Sequence, residues 1–196
     1  MLSEFDLLLC SGNGYLSRKI KAFNYLMGVR GPARQITHAA IVTKSVATQL
    51  RHVFESTTLN KYCGKRGVQK NPFGEWLRNY NGRVWCREFV MDTNMADHLL
   101  HYEFIEDHLD DGYESGIPGL IQLIKCGLRI NTKESLGKLF CTELVVNDLM
   151  NMSIMKSIEN NEEIISSNFP PYTFWDGGDL EKYLNYELKP AELLKG

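Results

Sequence analysis

Three short segments rich in β-branched and aromatic residues predict β-strands, and they constrain the fold more than any other feature. They are residues 36–43 (ITHAAIVT), 51–57 (RHVFEST) and 83–90 (RVWCREFV). The third segment follows Asn81 and Gly82, which form a strong turn signal. Residues 5–10 (FDLLLC) predict a further, short buried strand that ends at a glycine-containing loop. We therefore expect a sheet of at least these strands.

Successive side chains of a strand point to opposite faces, so the sequence also predicts which residues share a face. One face of the first strand should be formed by Ile36, His38, Ala40 and Val42. One face of the second strand should be formed by Val53, Glu55 and Thr57. A histidine and a carboxylate are thus predicted on consecutive strands, each among smaller or apolar neighbours.

Helical spacing of apolar residues predicts helices between and after these strands. The predicted helices are residues 15–27, 73–80, 92–110 and 140–150, whereas residues 59–71 are predicted to be a loop. Strands and helices in this arrangement are typical of an α+β domain, with a small antiparallel sheet flanked by helices.

Composition excludes several classes of function. The 196 residues fit one domain, and the formal net charge of −2 gives no electrostatic footprint for nucleic acid. No stretch reaches the length of a membrane span, and residues 1–10 lack the basic start of a signal peptide. We therefore expect a soluble, cytoplasmic or otherwise intracellular protein with no transmembrane segment and no nucleic-acid partner; the sequence does not indicate an oligomeric state.

The cysteines do not form a disulfide or metal pattern. They number five, which is odd, and none are spaced as in a CxxC motif, so we expect no disulfide framework, no metal site and no cofactor. Four of them have an ordinary structural explanation in a strand, a glycine-rich loop or an apolar run: Cys10, Cys63, Cys86 and Cys126.

Cys141 differs because it lies where an irregular segment gives way to the amphipathic helix of residues 140–150. A thiol at a helix N-terminus faces unpaired backbone N–H groups and the positive end of the helix dipole, and both favour the thiolate. The same N–H groups can stabilise an oxyanion during acyl transfer. The alternative interpretation is a buried core cysteine that falls at this position.

His38 is the candidate base among the five histidines. A thiolate nucleophile needs a base within hydrogen-bonding reach. The small residues beside His38 leave room for a substrate or a helix terminus to approach it. His98, His101 and His108 lie on an acidic helix without metal-binding spacing and are predicted to be solvated or half-buried, while His52 is predicted to be exposed. The alternative for His38 is a core histidine with satisfied hydrogen bonds.

Glu55 is the candidate third group, which would fix the tautomer and orientation of the imidazole. It lies on the strand after His38, and a carboxylate on an apolar strand face needs a partner because burying it unpaired is costly. The alternative is a glutamate on an edge strand that points into water.

The order of strand histidine, strand acid and helix-start cysteine resembles the permuted branch of the NlpC-like papain superfamily, in which YiiX-like and poxviral members also place the histidine before the cysteine. The matching segments are residues 5–9 (FDLLL) with the loop 11–14 (SGNG), 36–42 (ITHAAIV), 53–56 (VFES) and 139–145 (LFCTELV). The resemblance extends over residues 5–150, which is most of the chain.

The resemblance implies a circularly permuted papain-like fold, in which the helix carrying Cys141 packs on a small antiparallel sheet carrying His38 and Glu55. It implies Cys141 as the nucleophile, His38 as general base and then acid, and Glu55 as the orienting group. Tyr113, in the segment DGYE, resembles a Gly-Tyr element of this family and would be a substrate-pocket wall or an oxyanion helper. The alternative for Tyr113 is a packing residue.

The whole chain, residues 1–196, is predicted to be a single domain of this kind. Residues 151–196 would form a C-terminal extension that packs on or near the active-site groove. Its aromatic residues would either line an acyl channel or belong to the core: Phe169, Tyr172, Phe174 and Trp175.

The predicted function is a thiol hydrolase that cleaves an amide, ester or thioester bond through an acyl-enzyme on Cys141. Its substrate would be a peptide, an amino-acid-linked compound or an acyl lipid. Cell-wall-directed relatives usually need export, so the absence of a signal peptide in residues 1–10 argues against peptidoglycan. Two alternatives stay open: transfer of a lipid or other acyl group by the same triad, and a non-catalytic binding module on a papain-like fold.

Overall fold

A six-stranded antiparallel sheet with helices packed on it forms the centre of the molecule. The computed structural model describes residues 2–57, 66–91, 94–112, 125–126, 128, 140–156, 158–159 and 162–196. Cys63 and Tyr113, both named above, lie outside these ranges. The predicted α+β class is confirmed.

The strands of the central sheet are β1 (Leu7–Gly12), β2 (His38–Lys44), β3 (Arg51–Thr57), β4 (Gly67–Pro72), β5 (Gly82–Arg87) and β10 (Glu192–Lys195). Their order across the sheet is β10-β5-β1-β2-β3-β4. Two small strand pairs are formed by β6 (Phe89–Val90) with β9 (Glu187–Leu188), and by β7 (Ile158–Glu159) with β8 (Glu162–Glu163). Because β10 pairs with β5, the end of the described chain is part of the central sheet.

The helices of the described chain are α1 (Tyr15–Leu26), α2 (Phe73–Asn79), α3 (Met95–His108) and α4 (Cys141–Asn151). Short 3₁₀ segments are formed by Pro32–Gln35, Ser166–Asn168, Pro171–Phe174 and Asp179–Tyr183. The four predicted helices agree with α1–α4 to within three residues at each end. Asn94 caps α3, because its side chain accepts a hydrogen bond from the backbone N–H of Asp97 at 3.0 Å.

The predicted loop at residues 59–71 is wrong over its last part, because β4 occupies Gly67–Pro72. This strand pairs with β3, and Glu55 lies opposite Gln69. The sequence GVQKNP is polar and ends in proline, so it lacks the apolar signal of a strand. Gln69 and Asn71 are nevertheless buried, since they face the neighbouring strand and α2 rather than water.

The two faces of the sheet bury separate apolar clusters, as the alternation predicts. Leu7, Ile41 and Phe54 belong to a large cluster with Leu144 and Leu149 of α4, so the helix that begins at Cys141 packs on the sheet. The opposite face buries a smaller cluster against α2: Leu8, Cys10, Ala40, Val42, Val53, Trp76, Val84 and Cys86.

The predicted face of the first strand is correct for His38, Ala40 and Val42 but wrong for Ile36. Ile36 belongs to the large cluster on the α4 side, whereas Ala40 and Val42 belong to the smaller one. The reason is that β2 begins only at His38, so the strict alternation does not extend back to Ile36.

A buried hydrogen bond between His101 and Asp148 joins α3 to α4, and it corrects, for His101, the prediction that the histidines of this helix are solvated or half-buried. His101 and Asp148 are both fully buried, and Nδ1 of His101 lies 2.9 Å from Oδ2 of Asp148. The ring of Phe5 packs edge-on against His101, with 5.0 Å between ring centroids. Burial raises the pKa of Asp148, although the neighbouring His101 opposes this shift. His98 is partly exposed and pairs with Glu4 at 2.9 Å.

Arg87 at the end of β5 is expected to be a major contributor to stability. Its guanidinium is buried and donates hydrogen bonds to the carbonyl oxygens of Lys189 at 2.9 Å and Phe174 at 3.1 Å, and it pairs with Glu181 at 2.7 Å. Arg87→Met should lower the free energy of unfolding by roughly 2–4 kcal/mol, because the carbonyl groups lose their donors in a dry interior. Urea denaturation measures this, and the exposed Arg83→Met on the same strand is the control. Equal stability of the two variants would contradict the expectation.

Candidate active site

His38 and Glu55 meet on neighbouring strands. The register pairs Ile41 with Phe54, which places Glu55 opposite Ala40 and on the same face as His38. Nε2 of His38 lies 2.7 Å from Oε2 of Glu55, and their side chains are only 13% and 6% exposed. The carboxylate therefore holds Nε2 and leaves the other ring nitrogen, Nδ1, for a second partner.

Cys141 is the first residue of α4, and its sulfur lies near enough to His38 to raise the pKa of the imidazole. The backbone N–H of Phe140 donates to Oε2 of Glu143 at 3.3 Å, which fixes the start of the helix at this cysteine. The first N–H groups of an α-helix have no acceptor within the helix, so they are available beside the sulfur. The structure thus brings together three residues that the sequence places far apart.

The second oxygen of Glu55 is held by two further donors. Nε1 of Trp76 donates to Oε1 at 2.9 Å, and Nδ2 of Asn71 donates to the same oxygen at 3.2 Å. Burying a carboxylate is costly unless it is hydrogen-bonded, and these donors with His38 provide partners for both oxygens. Because Oε1 is held on one side and Oε2 faces His38, the carboxylate has one defined orientation toward the imidazole.

The charges around His38 favour its protonated form. Burial by itself lowers the pKa of His38, but the Cys141 sulfur and the Glu55 carboxylate outweigh it and raise the pKa to about 10. Opposite charges on both sides of an imidazole stabilise the imidazolium in this way. The arrangement can therefore hold a proton at neutral pH and pass it between a sulfur and a bound molecule.

Tyr80 and Cys10 lie beside the three residues, and each influences the pKa of the other. Burial, with the nearby Glu55 carboxylate adding to it, raises the pKa of both the Tyr80 hydroxyl and the Cys10 thiol well above their usual values. Both groups are therefore neutral near pH 7. Cys10 keeps the structural explanation given to it from the sequence, although it pairs directly with His38 across β1 and β2.

Sequence reasoning did not find the residues that support Glu55. Asn71 fell in a predicted loop, and Trp76 was assigned only to a short helix. One signal could have identified them: a carboxylate predicted on a buried face requires donors, and Trp76 and Tyr80 lie four residues apart on one side of the helix that follows β3 and β4.

The other residues named from the sequence are Tyr113 and the aromatic residues of the C-terminal extension. Tyr113 lies outside the described residues, so its predicted role stays a prediction. Phe169 and Phe174 are buried in the large apolar cluster on the α4 side, which agrees with the core interpretation of the C-terminal aromatics. Trp175 packs edge-on against Trp85, with 5.4 Å between ring centroids.

Two searches of the described residues bear on metals and membranes. Within the described ranges, no group of three or more histidine, cysteine, aspartate or glutamate side chains is arranged to hold a metal ion. In the same ranges, every helix is too short or too polar to cross a bilayer.

Comparisons with known proteins support the fold. No family model matches the chain, and no curated protein matches it in sequence. Among solved structures, the chain is similar to the metalloprotein yiiX from Escherichia coli O157:H7, described as DUF1105, with a TM-score of 0.55 and 11% sequence identity. The match covers 99% of this chain and 97% of that one. At this identity the likeness shows a shared fold and leaves the chemistry to be argued from the site.

Proposed function

We propose that this chain is a thiol hydrolase with a circularly permuted papain-like fold, in which Cys141, His38 and Glu55 form the catalytic triad. The observation that carries the proposal is that His38 is hydrogen-bonded to Glu55 at 2.7 Å and also interacts with the Cys141 sulfur, which raises the pKa of the imidazole. The structural likeness to yiiX over almost the full length of both chains supports the fold assignment. The chemistry rests on the site.

In the first step, the Cys141 sulfur, whose proton His38 already holds, attacks the carbonyl carbon of the substrate. The carbonyl oxygen becomes an oxyanion, which the backbone N–H of Cys141 can stabilise at the start of α4. The tetrahedral intermediate then collapses. His38 gives its proton to the departing nitrogen, oxygen or sulfur, and the acyl group stays on Cys141 as a thioester.

In the second step, His38 removes a proton from water, which attacks the thioester carbonyl and releases a carboxylic acid with the regenerated thiol. Glu55 accepts the hydrogen bond from Nε2–H of His38 and keeps the ring in place, so that Nδ1 faces the sulfur. Substrates with an amide, ester or thioester bond fit this sequence, which includes peptides, amino-acid-linked compounds and acyl lipids.

Alkylation with iodoacetamide tests the proposal and separates it from the binding-module alternative. We expect Cys141 to be labelled stoichiometrically at about pH 7, many times faster than a free thiol, because His38 favours the thiolate. His38→Ala should remove this advantage, whereas Cys86→Ala, which removes another buried thiol, should keep it. Labelling of Cys141 no faster than a free thiol would refute the proposed nucleophile.

Trp76→Phe is expected to show that Trp76 is a positioning residue. The substitution keeps an aromatic ring in the small cluster but removes the Nε1–H donor to Oε1 of Glu55. We expect kcat to fall by roughly tenfold with little change in KM, because the carboxylate loses one of its anchors and holds His38 less firmly. Trp85→Phe, which packs on Trp175 away from Glu55, is the control. A loss confined to stability, with kcat unchanged in the folded fraction, would contradict this role.

A further inference from the structure

A polar cavity of about 610 Å³ opens at the end of the sheet where His38 lies. Its walls include Ser11, Tyr80, Gly82 and Arg83, which come from the end of β1, the end of α2 and the start of β5. The register pairs Gly12 with Gly82 and Cys10 with His38, so these strand ends and the start of β2 lie at the same edge.

The register also gives the separation between His38 and the strand β5 that contributes to the cavity. His38 lies on β2, Cys10 is its partner on β1, and Val84 is the partner of Cys10 on β5. Two strand spacings of about 4.8 Å each put the start of β5 roughly 10 Å from His38. Tyr80 lies between the two places, because it lines the cavity and is also close to Cys10, the strand partner of His38.

The side chains that line this cavity carry positive charge without an acidic partner among them. Lys21, Arg83 and Lys195 line it, and none of its described lining side chains is a carboxylate. The Lys195 ammonium is already hydrogen-bonded within the protein, since it donates to the carbonyl oxygens of Leu77 at 2.9 Å and Tyr80 at 2.7 Å. Lys21 and Arg83 therefore supply the charge that a ligand in the cavity would meet.

Lys21 is held at the wall of the cavity next to a like charge. Its Nζ donates to the carbonyl oxygen of Gly12 at 2.8 Å, which fixes the ammonium at the end of β1. Burial lowers the pKa of Lys21, and the positive charge of Arg83 lowers it further. Two neighbouring cations at one cavity repel each other, and an anion bound between them would relieve this repulsion.

We propose that this cavity is a substrate subsite for an anionic group, a carboxylate or a phosphate, carried about 10 Å from the bond that Cys141 attacks. The proposal rests on the proposed function and names the class of its substrate. Arg83 presents a planar guanidinium suited to two oxygens of such a group, and Lys21 adds a point charge. The polar walls exclude a purely aliphatic occupant.

Matched electrophiles of equal length test the subsite. The probes are N-bromoacetyl-6-aminohexanoate, the corresponding phosphonate and the uncharged N-methylamide, and intact-mass spectrometry follows the rate at which each alkylates Cys141. At low salt we expect the anionic probes to react roughly fivefold to tenfold faster than the amide, and the advantage to shrink in high salt. The larger of the two anionic rates identifies carboxylate or phosphate as the natural group.

Variants of the lining cations test whether the faster reaction of the anionic probes depends on this cavity. Lys21→Met and Arg83→Met should each reduce the preference for anions, and Lys21→Arg should retain it. Lys19→Met, on the exposed side of α1, is the matched control and should leave the preference unchanged.

Equal rates for anionic and neutral probes, or equal loss in Lys19→Met and Lys21→Met, would overturn the subsite while leaving the thiol chemistry standing. A second measurement keeps the two proposals separable. In Cys141→Ser, NMR titration with N-acetyl-6-aminohexanoate should shift the resonances of residues around the cavity, and Lys21→Met should abolish those shifts. If Cys141 proves unreactive toward every probe, the proposed function fails, and this titration alone decides the subsite.

Discussion

Cys141→Ala is expected to lower kcat/KM by roughly 10⁴-fold or more on any ester or amide substrate that the native chain hydrolyses. In the proposed mechanism the Cys141 sulfur is the protein atom that forms a bond to the substrate, so no other side chain can replace it. Release of the acid product under steady-state conditions measures the loss. Cys141→Ser should lose nearly as much, because a hydroxyl gives up its proton to His38 less readily than a thiol does.

Two controls decide whether such a loss is chemical. Cys86→Ala removes a buried thiol at the middle of β5, several residues from the edge where His38 lies, and should keep full activity. The unfolding transition of Cys141→Ala should stay cooperative, because the substitution removes a single sulfur atom from one small buried side chain. Full activity in folded Cys141→Ala would remove Cys141 from the mechanism.

The sequence predicts the parts of this fold that obey a simple period. The strand that carries Glu55 and the helix that begins at Cys141 follow from alternation and helical spacing, and both lie where these patterns predict. A thiol at a helix start and a carboxylate on a buried face each imply a partner. The sequence therefore predicts that Cys141 and Glu55 share His38 as their partner.

The parts that escaped prediction depend on contacts distant in the sequence. β4 is polar, and its pairing with β3 is supported by a buried hydrogen bond from Asn71 to Glu55 that the sequence of the segment does not reveal. From the sequence, His101 is expected on the surface of an acidic helix. In the structure it is buried and is hydrogen-bonded to Asp148 of α4. The spacing of apolar residues predicts which apolar side chains are buried. It does not predict which polar residues are buried as hydrogen-bonded pairs.

The cavity proposed as an anion subsite illustrates the same limit. Lys21, Arg83 and Lys195 come from α1, β5 and β10, and no local segment contains a basic cluster that would mark them. The net charge of −2 even argues against an anionic ligand when it is taken over the whole chain. The strand order β10-β5-β1 brings these cations to one edge of the sheet. The electrostatic potential at the cavity is therefore positive although the net charge of the chain is negative.

His38→Ala is expected to lower kcat/KM by roughly 10³-fold to 10⁴-fold, since Cys141 loses both its base and the acid that protonates the leaving group. In the native chain the pKa of His38 is raised to about 10, so activity that needs the imidazolium should decline as the pH rises through about 10. Glu55→Gln should retain more activity than His38→Ala and should move this decline to lower pH. A pH–rate profile of kcat/KM measures both effects.

The same shift in pKa makes a prediction about stability. His38 binds its proton more tightly in the folded chain than in the unfolded one, whose ordinary value is 6.5, so its contribution is complete below about pH 6.5 and is lost as the pH rises through about 10. The difference in unfolding free energy between the native chain and His38→Gln should therefore shrink over this interval in urea titrations. Cys141→Ala should lose the contribution at lower pH, because the sulfur is the strongest of the groups that raise the pKa of His38. A difference that grows between pH 6.5 and pH 10 would mean that His38 is neutral in the folded chain, and the proposed proton transfer from an imidazolium would then have no source.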